Sequence, residues 1–159
     1  MIVVSNTSPL LNLALVGKLD LLEQLFEKVL VPDAVVSEMA AFASGARAVP
    51  TLPAWIERRR VTNRALLDSL SLDLDAGEAE AIALAVELEA NLILLDEKLA
   101  RRVATRLGLN CVGLLGILVE AKRRGSLVSV KPLLDALVTQ AGFWVGHDLY
   151  ARVLSEVSE

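Results

Sequence analysis

The chain has little of what several common chemistries require. It contains one cysteine, Cys111, and one histidine, His147, in 159 residues. A lone Cys111 cannot form an intramolecular disulfide and points to a reducing compartment. With His147 as the only imidazole, there is no basis for a histidine-rich metal site or a Cys–His nucleophile pair. The sequence has no P-loop, no dinucleotide-binding glycine fingerprint and no Gly-x-Ser-x-Gly elbow. Charged residues make up 23% of the chain. They interrupt every apolar run before the roughly 18 residues that a membrane span needs. The opening MIVVSNTSP lacks a positive n-region, and no small-residue cleavage site follows, so no signal peptide and a cytoplasmic location are expected. The net charge is −4, which excludes the overall basic field typical of nucleic-acid binders. Any RNA or DNA contact has to come from a local basic stripe.

Apolar residues are abundant instead, at 54% with a mean hydropathy of +0.53. That is more than a single domain of 159 residues ordinarily buries, so a homodimer or a covering partner is expected. The order of elements points to an α/β fold. Strands are expected at Met1–Ser5, Lys28–Val31, Leu92–Leu95 and Asn110–Val112. Between and after them, helical patterns cover Leu10–Val16, Leu19–Phe26, Asp33–Phe42, Arg64–Leu70, Ala76–Ala90, Glu97–Leu107 and Leu114–Arg124, the last ended by Gly125. Two more helices are expected near Pro132–Gln140 and His147–Val157. Residues 43–54 read as a loop, and Trp55–Thr62 reads equally as strand or helix. Short apolar strands alternating with helices predict a parallel sheet covered on both faces.

In such sheets ligands bind beyond the carboxyl ends of the strands. Asn6 and Asp96 follow the first and third of these strands; Asp96 is equally placed to cap the helix at Glu97. On the Asp33–Phe42 wheel, Glu38 stands about 40° from Phe42, at the edge of the apolar face. Glu78 and Glu80 differ by about 200° on their helix and cannot serve one site. Glu80 shares its side with Glu87, which predicts a solvated face, and Asp75 is placed as the N-cap of that helix.

Two segments carry a resemblance. VVSNTSPLLNLALVGKLDLLEQLFEKVLVPDAVVSEM resembles the opening of PIN-domain proteins, and GEAEAIALAVELEANLILLDEKLARRVATRLGLNCVGLLGILVEAKRRG resembles the second half of that domain. The branch it most resembles lies near the VapC-type toxin ribonucleases. The resemblance implies a three-layer α/β/α sandwich with a central parallel sheet. It further implies a single domain over 1–159, with a core of about 1–125 and a C-terminal helical extension over 126–159. Carried over by position, the family's acids fall on Asn6, Glu38, Glu78 and Asp96, which would hold Mg²⁺ or Mn²⁺ for RNA hydrolysis. Ser8 would be a supporting hydroxyl, and Glu97 a substitute for Asp96. Asn6 departs from the pattern because it brings an amide oxygen where a carboxylate is expected. Two functions are therefore weighed: a metal-dependent toxin ribonuclease with a cognate antitoxin, or a weakened PIN-like module that binds RNA or protein without cutting.

Lys98, Arg101 and Arg102, just after Asp96, are the candidate RNA contacts, each also explicable as a solvated helix face. Phe143 and Trp144 read as packing of the C-terminal tail or as a dimer contact before they read as base-stacking platforms.

Overall fold

The computed structural model describes residues 1–43 and 51–159. Most of the expected 43–54 loop thus lies outside the described residues. Among the described residues, five parallel strands form one sheet: β1 (Val3–Ser5), β2 (Val29–Val31), β3 (Ile56–Arg58), β4 (Leu92–Leu94) and β5 (Cys111–Val112). Their order is β3-β2-β1-β4-β5. The first three helices are α1 (Thr7–Leu15), α2 (Asp20–Phe26) and α3 (Asp33–Ala43). Next come α4 (Arg64–Leu70), α5 (Ala76–Glu87) and α6 (Lys98–Arg106). The chain closes with α7 (Leu114–Arg123), α8 (Val130–Gln140) and α9 (His147–Glu156). The PIN-like α/β/α arrangement follows from the period-two alternation of the strands. Val3 faces one apolar cluster, shared with Leu10, Leu22, Leu118, Leu134 and Leu154. Val4 faces the other, shared with Ile82, Leu84, Ile93 and Ala100.

The strand at 56–58 resolves the ambiguity left at Trp55–Thr62. It pairs with β2 through Val29↔Ile56, Leu30↔Glu57 and Val31↔Arg58, and Lys28 adds an ion pair to Glu57. Ile56 is buried, whereas Arg58 is exposed and bonds Asp33 with Nε 2.6 Å from Oδ1. An edge strand with so few apolar residues has little periodicity of its own, and only its pairing defines it. The C-terminal helices are not loosely attached. Leu133, Leu134, Leu137, Val153 and Leu154 belong to the same core cluster as Val3.

The topology also fixes where a site belongs. From β1 the chain passes to β2 and β3 on one side, then returns to place β4 and β5 on the other. The strand order therefore reverses between β1 and β4, and a crevice opens at their carboxyl ends. The register there is Ser5↔Leu94, and the Asn6 N–H donates to the Leu94 carbonyl at 3.0 Å. Asn6 and Asp96 are thus one and two residues past the last paired positions of adjacent strands.

Candidate active site

Asn6 enters α1 as its N-cap residue, with φ −79° and ψ 175°, but its side chain caps nothing. The side chain is 5% exposed, and its Oδ1 has no hydrogen-bond partner. Glu38, in the second turn of α3, reaches the same place. A Cβ built on Gly77 would stand 2.8 and 2.9 Å from the Glu38 carboxylate oxygens and 3.0 Å from Asn6 Oδ1. No side chain fits there without moving those oxygens, so glycine lets the first turn of α5 approach them closely. The Thr7 hydroxyl donates to Glu38 Oε2. The hydroxyl bonded to this carboxylate is therefore that of Thr7, next to Ser8, and Ser8 itself is half-buried.

Of the two places the sequence offers Asp96, a strand-end site residue or the cap of the next helix, the structure does not make it the cap of α6. Glu97 occupies the N-cap position of α6 without a side-chain cap bond. Asp96 Oδ1 instead accepts from the Leu114 N–H at 2.8 Å, across β5, at the start of α7. Its other oxygen, Oδ2, is buried without a partner. Gly113 admits this geometry: a Cβ there would lie 2.9 Å from Asp96 Oδ1 and 3.0 Å from Arg101 Nη1. Burial raises the Asp96 pKa, against the lowering effects of the Leu114 N–H and the Arg101 charge. Of the three candidate RNA-contacting cations, Arg101 thus stands beside Asp96. Lys98 and Arg102 are exposed on the same helix.

Glu78 is 9% exposed and lies one residue after Gly77. Asp75 caps α5 as expected and forms a capping box with Glu78: the Glu78 N–H donates to Asp75 Oδ1 at 2.8 Å, and the Asp75 N–H donates to Glu78 Oε2 at 3.3 Å. Burial first, then the Asp75 carboxylate, raise the Glu78 pKa, and Glu97 adds in the same direction. Glu97 also raises Asp96, so Glu78, Asp96 and Glu97 share one electrostatic neighbourhood.

The Glu80–Glu87 side of α5 is partly solvated, as the wheel predicts, but both carboxylates are also engaged. Glu80 Oε1 accepts from the Ala34 N–H at 3.3 Å, at the start of α3. Glu87 Oε1 accepts from the N–H groups of Thr62 and Asn63 at 2.9 and 2.8 Å. Both carboxylates satisfy backbone donors of segments far away in sequence, a role invisible to a wheel.

Among the described residues, no three His, Cys, Asp or Glu side chains are gathered closely enough to hold a metal ion by themselves. The oxygens at the strand ends come from a mixed set: the Asn6 amide and the Glu38 carboxylate meet at Gly77, and the Asp96 carboxylate stands at the end of the neighbouring β4 against Gly113 and the Leu114 N–H. Two of these oxygens, Asn6 Oδ1 and Asp96 Oδ2, are buried and unpaired. An unpaired buried polar atom costs about 1–3 kcal/mol, and native proteins keep few of them without a reason. An all-oxygen donor set suits a hard, hydrated cation that touches only one or two carboxylates directly. The residues present fit such an ion. Gly77, Gly113 and the Leu114 N–H belong to no motif in the sequence. The signal available for them was a glycine beside the expected start of each of α5 and α7.

No curated protein matches the chain. A family model described as DUF3368, PIN domain, matches residues 2–159, a span that includes α8 and α9. With that match over nearly its whole length, and with a five-stranded parallel sheet carrying acidic residues at its switch point, the chain belongs to the PIN-domain family.

Proposed function

We propose that this protein is a ribonuclease that hydrolyses RNA phosphodiesters with Mg²⁺ or Mn²⁺ held by Asn6, Glu38, Glu78 and Asp96. The observation that carries this reading is the pair of buried, unpaired oxygens, Asn6 Oδ1 and Asp96 Oδ2, at the crevice between β1 and β4. The ion would supply a nucleophile from water at neutral pH and offset the charge that develops on the phosphodiester. The chain's own residues prepare the place. Thr7 orients Glu38, the Leu114 N–H fixes one Asp96 oxygen and leaves the other free, and Gly77 and Gly113 keep the space clear of side chains. Burial favours the protonated forms of Glu78 and Asp96. Both would release their protons more readily beside a cation.

In this reading the protein is the toxin of a toxin–antitoxin pair. It acts in the cytoplasm as a homodimer, and Lys98, Arg101 and Arg102 meet the RNA backbone. Among the described residues no helix is long and apolar enough to cross a membrane. The second reading, a module that binds RNA or protein with weakened or no cleavage, draws on two observations: the uncharged Asn6 and the commitment of Glu78 to its capping box. Cleavage of mixed RNAs with and without Mn²⁺, comparing the native chain with Asp96→Asn, separates the two. Metal-dependent cleavage that Asp96→Asn abolishes supports the first reading. RNA binding with no cleavage at any metal concentration supports the second.

A further inference from the structure

A groove of roughly 600 Å³ starts at Asp96 and runs past the beginning of α7 to the segment joining α8 and α9. Asp96, Arg101 and Gly113 line one end, and Trp144, Leu149 and Arg152 line the other. Of Phe143 and Trp144, expected as tail packing or a dimer contact, Phe143 lies against the core. Trp144 is 84% exposed.

Charge defines the rest of the groove. The Glu120 carboxylate at its wall is neutralised by Arg123 and Arg124, which hold its pKa down to about 2. Among the described residues, neither Arg101 nor Arg152 takes part in an ion pair. The groove thus offers an exposed indole and the Arg152 guanidinium, with Arg101 beside Asp96 at its other end and the Glu156 carboxylate also in its lining. Every nucleobase has a π-face that stacks on an indole, and guanidinium groups suit phosphates.

We propose that this groove is a base-stacking subsite for single-stranded RNA, with Trp144 as the platform and Arg152 and Arg101 contacting the backbone that leads to Asp96. The subsite rests on the ribonuclease reading and extends it, because it says how the strand is held beside the acids. The exposed indole beside Arg152 favours a nucleic-acid strand over a basic protein segment, and continuity with Asp96 favours substrate over a second copy of the chain.

The test is binding of a short fluorescein-labelled, mixed-sequence single-stranded RNA, followed by anisotropy in EDTA and paired with cleavage in Mn²⁺. The variants are Trp144→Ala, Trp144→Phe and Arg152→Ala, alongside the native chain. Trp144→Ala is expected to weaken binding about tenfold or more, and Trp144→Phe to retain most of the affinity. Arg152→Ala should weaken binding and lower the slope of log affinity against log salt by about 1. If the native chain binds and cleaves RNA but Trp144→Ala binds equally well, the subsite is overturned and the ribonuclease reading stands. If the native chain neither binds nor cleaves RNA, the ribonuclease reading fails and the subsite fails with it. Should Trp144→Ala dissociate a dimer in light scattering while RNA affinity is unchanged, the face is an interface between copies, and the subsite is again overturned.

Discussion

Restoring a carboxylate with Asn6→Asp should make the metal-free protein less stable and its response to divalent cations larger. The substitution barely changes side-chain size, so packing at the end of β1 should be preserved. Asn6 Oδ1 and both Glu38 oxygens lie within 3.0 Å of one point. Two carboxylates there are no more than about 6 Å apart, and at an effective dielectric near 20 their repulsion is roughly 3 kcal/mol. For a chain of this size that corresponds to a melting temperature lower by about 6–12 °C without metal. The new carboxyl has a raised native pKa, because burial and Glu38 oppose its charge. The deficit should therefore be absent below the ordinary Asp pKa of about 3.9 and grow as pH rises through the raised native value. A cation reverses the balance. If the extra charge tightens binding at least tenfold, saturating Mn²⁺ adds about 1.4 kcal/mol more stabilisation to the variant than to the native chain. Differential scanning calorimetry from pH 4 to 8, with EDTA or Mn²⁺, measures both effects, and a cleavage assay runs in parallel. Equal metal-induced shifts in the two proteins would refute the reasoning, because Asn6 would then not face the bound ion.

Gly77→Ala should change the melting temperature little, since alanine is the better helix former but its methyl must push aside the Glu38 carboxylate. It should nonetheless cut RNA cleavage tenfold or more, because the methyl group displaces Glu38 and Asn6 oxygens; circular dichroism melts and initial rates check the two halves separately. Glu80→Gln should keep cleavage within about twofold of native, since Glu80 serves the Ala34 N–H, whereas Asp96→Asn should lose it. Glu159 accepts from Lys122 Nζ at 2.7 Å, Ser129 Oγ at 2.6 Å and the Val130 N–H at 2.8 Å. Chiefly the Lys122 hydrogen bond lowers its pKa from 4.5 to about 2. A lowered carboxyl stabilises the fold above its unfolded pKa and ceases to do so as pH falls through its native one. Glu159→Gln should therefore melt below the native chain at pH 5 and above, with the gap closing between about pH 4.5 and pH 2; a gap independent of pH would rule this out.

The sequence by itself determined the layered α/β class, most helix limits and the N-cap role of Asp75. It also placed Asn6 and Asp96 just past the strands that became β1 and β4. These features depend on residues within a few positions of one another, through apolar periodicity, capping and the chain breaks at Gly and Pro. The tertiary structure decided the rest. The strand Ile56–Arg58 exists through its pairing with β2, and Asp96 turns from the adjacent helix to the Leu114 N–H, 18 residues on. Glu80 and Glu87 satisfy donors at Ala34, Thr62 and Asn63. Phe143 is packed whereas Trp144 is left outside. A helical wheel records which side of a helix a residue faces. What waits on that side, an apolar layer, a backbone N–H or a buried oxygen without a partner, is set by segments that come together only when the sheet assembles.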